Sequence, residues 1–350
     1  MATLVKITRE TRILLKILAI VGSVMFILYL TVNGATLFKK IFFPTPLPPP
    51  EEKFGKLPIV SFPSQNITRI EYRINTVNKT LPASPDRMKV YKTREFPPIL
   101  GALQDVRDKL KKLDYKLFEK RISDTKSSWT NSNGETITYD IYRNNFQIKS
   151  NFIANPPLKV YEQTAKKDEI SRFIFSFLAN VGIDTSDIDT NLTTVKYFKL
   201  SSGTLIPVDN QFEAQVARVD LFQNDLSENG LQLKMYYPNN NQSIMYFYLA
   251  NVDGIQRIIE AGFTHNVVDK NMVTTYPIKT TQQAFDDLQA GKAFVFLDNP
   301  GSKSLDLIEV FLGYYFSDDE TQSYTVPIYV FKGNGFTAYV NAVPDTSIGN

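Results

Sequence analysis

The hydrophobic pattern divides the chain into an apolar N-terminal run and a long region of alternating or helically spaced apolar positions. From Ile17 to Phe38 the run ILAIVGSVMFILYLTVNGATLF carries no charge. As a helix it reaches roughly 33 Å at ~1.5 Å per residue, enough for a ~30 Å hydrocarbon core, so it predicts a transmembrane helix over 17–38. Lys6, Arg9, Arg12 and Lys16 precede it, whereas Lys39 and Lys40 follow and are soon offset by Glu51 and Glu52. That asymmetry predicts a cytoplasmic N-terminus over 1–16 and an extracytoplasmic C-terminal domain, in a single-pass protein of the cell membrane. The run is longer than the ~7–15-residue core of a signal peptide and no A-x-A site follows it, which favours an uncleaved anchor. Asn33 and Gly34, near its outer end, mark either a helix-packing face or an interfacial end.

Beyond the helix, Pro44, Pro46, Pro48, Pro49 and Pro50 predict an extended spacer within a linker over 39–60. NITRIEYRIN (66–75) alternates as a strand, and LPASPDRMKVYK adds a turn and a short second strand. Three helical segments follow. GALQDVRDKLKKLDY sets Leu103, Val106, Leu110 and Leu113 on one face, and KKDEISRFIFSFLANVGID sets Ile170, Phe173, Ile174, Phe177, Leu178 and Val181 on another before Gly182 as C-cap. The third, TTQQAFDDLQAG, opens on Thr280 or Thr281 and closes at Gly291.

Strand-like sequence succeeds each helix. After the first come SSWT, ETITYDI and FQIKSN; after the second VKYFKL, EAQVARVDLF, LQLKMYY, SIMYFYLA and GIQRIIEAGF; after the third AFVFL, LIEVFLGYYFS, TVPIYVFKG and FTAYVNAV. The last two are joined by Lys332–Gly335, a hairpin signal. Strands that run consecutively, instead of alternating with helices, predict an α+β fold of helices on antiparallel sheets. The repeated helix-then-meander order divides the exported part into three tandem modules, 61–155, 156–270 and 271–350, and suggests duplication.

Composition narrows the chemistry. With 350 residues, 43% of them hydrophobic, there is ample material for a core. A net charge of +3 with no basic stripe gives no reason to expect nucleic acid. The absence of cysteine removes disulfides, thiolate nucleophiles and cysteine-held metals, and the single histidine, His265, removes histidine-rich metal sites. No cofactor or metal is expected.

Two stretches, YPIKTTQQAFDDLQAG (276–291) and LIEVFLGYYFSDDETQSYTVPIYVFKGNGFTAYVNAV (307–343), resemble PepSY-like modules. The likeness lies in Pro277 and Ile278, the helix with Ala284 and Leu288, the paired Tyr314 and Tyr315, then Val326, Pro327 and a closing hairpin. SSWTNSNGETITYDIYRNNFQIKSN and ARVDLFQNDLSENGLQL are similar to parts of such a module. With the membrane helix in front, the chain resembles extracytoplasmic YycH/YycI-type regulatory proteins. The resemblance implies a non-enzymatic role exercised through contacts with an envelope or membrane protein.

Candidate chemistry is sparse. Ser123 and Lys126 have the S-x-x-K spacing but lack the K-T-G and S-D-N that accompany it in penicillin-recognising enzymes, so a turn is expected. Asp184, Asp187 and Asp189 do not fit a calcium loop and read as residues after a helix end, while His265 reads as a surface or strand-end residue. Gly333 and Gly335 precede a strand, not the helix a phosphate loop requires. Asn66, Asn78, Asn191 and Asn241 match the glycosylation sequon. A binding surface is expected at Tyr314, Tyr315, Asp318, Asp319 and Tyr324, where aromatic and acidic residues gather. Two other classes stay open: a cell-envelope hydrolase using carboxylates such as Asp318 and Glu320, and a structural subunit of an envelope assembly.

Overall fold

A computed structural model describes residues 2–42, 48–60, 62–63, 70–97, 99–157, 160, 166–228, 230–239, 241–318 and 322–349, with only the backbone described at 2–13 and 35–42. The chain forms two compact units, Met1–Pro49 and Pro50–Asn350.

The first unit is one helix, α1 (Ala2–Phe42). Its stretch Leu14–Gly34 is apolar, fully exposed and long enough to cross a membrane, a few residues earlier than the 17–38 expected. The helix outruns this stretch at both ends, and no proline interrupts it before Pro44. Within it the polar side chains fold back onto helix carbonyls. Ser23 donates to Ala19 O at 2.8 Å, Thr31 to Leu28 O at 2.9 Å and Asn33 to Tyr29 O at 3.0 Å. Such self-satisfaction is what a lipid surface demands, since hydrocarbon offers no partners.

The second unit is α+β. In chain order its elements are β1 (Glu71–Ile74), β2 (Arg87–Thr93), α2 (Ala102–Lys112), β3 (Leu117–Arg121), β4 (Lys126–Thr130), β5 (Thr136–Asp140), β6 (Asn145–Lys149) and α3 (Lys167–Val181). Then come β7 (Ile188–Ser201), β8 (Thr204–Val208), β9 (Val216–Gln223), β10 (Leu226–Glu228), β11 (Leu231–Leu233), β12 (Met235–Tyr236), β13 (Met245–Val252) and β14 (Ile255–Phe263). The chain closes with β15 (Val268–Pro277), α4 (Thr281–Gln289), β16 (Phe294–Leu297), β17 (Ser304–Tyr315), β18 (Val326–Gly333) and β19 (Phe336–Asn341).

All three helices lie where the apolar spacing predicts them. α3 ends at Gly182 in the left-handed conformation, φ 87°, and α4 starts from a Thr280 hydroxyl that accepts the Gln283 amide at 3.2 Å. The meanders assemble into a nine-stranded antiparallel sheet in the order β3-β4-β5-β6-β14-β13-β9-β7-β8. Both α2 and α3 pack on one of its faces, burying Val106, Leu110, Ile170, Ile174 and Leu178 against Trp129, Ile137, Val219 and Phe247. A second sheet, β1-β17-β18-β19-β16 with β12 also on β17, packs α4 through Ala284, Phe285 and Leu288 onto Tyr329, Phe331 and Ala338.

Hydrogen bonding crosses both of the module boundaries expected at 155 and 270. β6 joins β14, so the meanders after α2 and after α3 share one sheet. From the N-terminal stretch, β1 pairs with β17 and β2 with β15. Apart from β12, the second sheet and the separate β2–β15 pair are therefore assembled from segments on either side of an insert that runs from α2 to β14. Two of the second sheet's pairings, β1 with β17 and β12 with β17, are parallel, which departs from the purely antiparallel expectation. Each brings together segments far apart in sequence, as parallel pairing requires. Residues 224–244 leave the first sheet between β9 and β13 and reach the second. There Leu226 and Leu233 enter the α4 core, and the buried Glu228 accepts the Lys89 amide and the Tyr314 hydroxyl, each at 3.0 Å.

A candidate binding cleft

Where the 224–244 excursion passes between the sheets it leaves a cavity of about 380 Å³. Leu192, Thr194 and Phe222 of β7 and β9 form one wall, and Phe311, Val330, Thr337 and Tyr339 of β17, β18 and β19 the other. Lys234, Met235, Tyr236 and Tyr237 run along it, with Asn239, Asn241 and Gln242 at the end of the same segment. Strand alternation puts Phe311, Val330 and Tyr339 on the sheet face opposite α4. Tyr236 is seated by a glycine: a Cβ on Gly313 would stand 2.5 Å from its ring. The ring then lies 5.3 Å from Tyr339 and 6.2 Å from Phe311. Burial first, then the charges of Asp225 and Glu309, hold the Tyr236 phenol far above the usual tyrosine range, so it stays protonated at neutral pH.

A second cavity of about 270 Å³ shares Gln223, Asp225 and Met235 with the first. Its other walls are the turn after α3, with Asp184, Ser186 and Asp187, and Val267–Asn271. Burial raises the Asp225 carboxyl above its ordinary value of 3.8, against the pull of Lys234. Gln223 donates to Asp187 Oδ2 and to Asn266 O, each at 3.0 Å. Its own Oε1 is buried and, among the described residues, has no hydrogen-bond partner. Such a group is uncommon in a folded protein.

His265 is at a strand end, just past β14, but it is buried and not on the surface, at 5% exposure. Its Nε2 lies 2.8 Å from Asp187 Oδ1, and its amide donates to Asn145 Oδ1 at 2.8 Å. Burial alone would raise the Asp187 carboxyl. The hydrogen bond and charge of His265, with the bond from Gln223, outweigh it and hold the group below its ordinary 3.8. A carboxyl depressed by folding contributes stability above its unfolded value and loses it as pH falls through the folded value. Acid unfolding followed below about pH 4 is therefore expected to be shallower in D187N than in the parent protein. An unchanged slope would show that Asp187 does not carry this linkage.

The expected binding surface is corrected. Tyr314 and Tyr315 are fully buried, because β17 is covered on both faces and each ring of the pair enters a different core. Tyr314 donates to Lys89 O at 2.9 Å, and Tyr315 packs edge-on against Phe62 at 4.9 Å. Tyr324 is half-buried against Phe54 at 5.1 Å. Asp318 is exposed, while Asp319 and Glu320 lie outside the described residues, as does Asn66. Ser123 accepts the amides of Thr125 and Lys126 at 3.3 and 3.1 Å, the turn expected. Asp184 and Asp189 accept the amides of Ser186 and Asn191 at 2.9 and 2.8 Å, which ties them to turns. Among the described residues no group of three or more His, Asp or Glu is placed to hold a metal ion. The residues of the cleft were missed, although the stretch KMYYPNNNQS (234–243) carried a signal in its paired tyrosines followed by amides.

No protein family and no curated protein matches the chain. Among solved structures, "Bacillus megaterium YpeB C-terminal domain" is similar at 14% identity, over 73% of this chain and 96% of that chain, with a TM-score of 0.30. At that identity and score the likeness assigns nothing to this chain.

Proposed function

We propose that the chain is a membrane-anchored, non-enzymatic extracytoplasmic protein that binds or regulates another envelope protein or peptide through the cleft beside Tyr236. The observation that carries this reading is the cleft's lining, in which aromatic rings and amide or hydroxyl groups converge on about 380 Å³. Those groups suit recognition: the rings offer rigid apolar area, and the amides and hydroxyls fix orientation. The exposed apolar helix Leu14–Gly34 supplies the anchor, and the charge asymmetry around it supports a cytoplasmic N-terminus. The resemblance of 276–291 and 307–343 to PepSY-like modules of YycH/YycI-type proteins points the same way.

Photo-crosslinking in native membranes tests it. A crosslinker at Asn239, on the exposed rim, is expected to capture a discrete partner, and one at the exposed Lys111 of α2 is not. Tyr236→Ala, which removes the central ring, is expected to weaken that capture roughly tenfold, as loss of an aromatic anchor does. Equal labelling from both positions, or none from Asn239, would refute the reading.

A further inference from the structure

The edge of β17 is filled at both ends and open in the middle. β1 pairs with Ser304–Leu307 and the Asn75 amide donates to Leu307 O at 2.8 Å. β12 pairs with Tyr314 and Tyr315, and the Tyr314 amide donates to Lys234 O at 2.9 Å. Both strands run parallel to β17 and lie along the same edge. Between them Glu309–Leu312 extends roughly 13 Å at ~3.3 Å per residue with no strand paired to it on that side.

Alternation settles which groups face the opening. Tyr314 turns its amide to this edge, so Leu312 and Val310 do the same, while Phe311 and Gly313 face Val330 and Ile328 of β18. On this side neither Val310 nor Leu312 is paired with a strand among the described residues. Both side chains and that of Phe311 are only partly buried. On one face of the opening Phe311 and Tyr236 lead into the 380 Å³ cavity.

We propose that this gap is a strand-addition site: an extended peptide segment of the partner enters beside Val310 and Leu312, parallel to β17 and in line with β1 and β12. About four residues fill the gap. Main-chain hydrogen bonds to Val310 and Leu312 hold the segment, and alternate side chains, apolar or aromatic, turn into the cavity beside Phe311 and Tyr236. Two segments of the chain already use this edge in the same sense, and that continuity selects an extended peptide as the occupant. The inference deepens the proposed function and rests on it.

The test uses the full chain in lipid nanodiscs and an immobilised positional-scanning library of seven-residue peptides. In the free protein the Val310 and Leu312 amides are expected to exchange with solvent fast, and those of Phe311 and Gly313 slowly. A peptide selected from the library is expected to protect Val310 and Leu312, and to lose binding at least tenfold on N-methylation at every second residue. Leu312→Pro removes an edge-facing amide without touching the ladder to β18, so it is expected to keep Trp129 fluorescence and to weaken the peptide at least tenfold. No library peptide protecting Val310 and Leu312, or selected peptides that tolerate N-methylation throughout, would overturn the proposal. That readout uses the unaltered protein and holds even if Leu312→Pro misfolds. Capture at Asn239 that persists in Leu312→Pro would overturn strand addition while leaving the binding reading intact; no capture by the parent protein would overturn both.

Discussion

Replacing Arg257 with methionine is expected to cost about 3–5 kcal/mol, the penalty for leaving a buried charge without its partner. Glu135 has 3% of its side chain exposed, and its Oε1 accepts from both Nε and Nη2 of Arg257, the former at 3.0 Å. Asn131 supplies a further bond to Oε2. Without the guanidinium, the carboxylate either stays charged against a low dielectric or takes up a proton, and both routes destabilise the fold. The pair ties the turn between β4 and β5 to the start of β14, across the join between the two meanders. Urea unfolding read by Trp129, the only tryptophan and itself buried, measures the loss. The double variant R257M/E135Q is expected to recover much of it, because no buried charge then remains. A loss below about 1 kcal/mol in R257M, the range of exposed pairs, would show that water reaches the site.

Gly333→Ala is expected to cost ~3 kcal/mol, the upper end of overpacking effects. A Cβ there would overlap the Asp306 carbonyl and the Phe336 ring. The ring can turn aside. The carbonyl cannot, because it belongs to the stretch of β17 that β1 pairs, next to an irregularity between Leu307 and Glu309. Thermal unfolding followed by far-UV circular dichroism checks the expectation. A melting curve matching the parent protein would mean that β17 yields at that point.

Helices and local strands were legible because their signals are local. Val106 and Leu110, Ile174 and Leu178, and the turn at Asn334 and Gly335 follow from spacing and turn chemistry, and each sits as that pattern requires. What escaped depends on contacts between distant residues. β3 carries the sequence LFEKR, exposed at every position, so it has no apolar face to announce it. LQLKMYY is expected as one strand, but it splits into β11, paired with β10, and the two-residue β12, which is defined only by meeting Tyr314 and Tyr315. Tyr314 and Tyr315 misled for a related reason. A tyrosine pair reads alike in a surface strand and in one covered on both faces, and only the second sheet's assembly decides between them. The burial of His265 escaped because Asp187, its partner, lies 78 residues earlier in the chain.

The discontinuous second sheet sets an order on biosynthesis. Leu57 donates its amide to Ser347 O at 2.9 Å and accepts the Gly349 amide at 2.8 Å, and Glu52 donates to Thr275 O at 3.0 Å. A chain made from its N-terminus presents residues 50–93 well before their partners at 268–349. The insert from α2 to β14 has its own core and can fold while these early strands wait, with the edges of β1 and β2 unpaired in the interval. The stretch that follows Pro50 is thus completed only when those partners emerge, and a chain interrupted before Thr275 would display unpaired strands there, a mark by which quality control can tell an unfinished copy from a finished one.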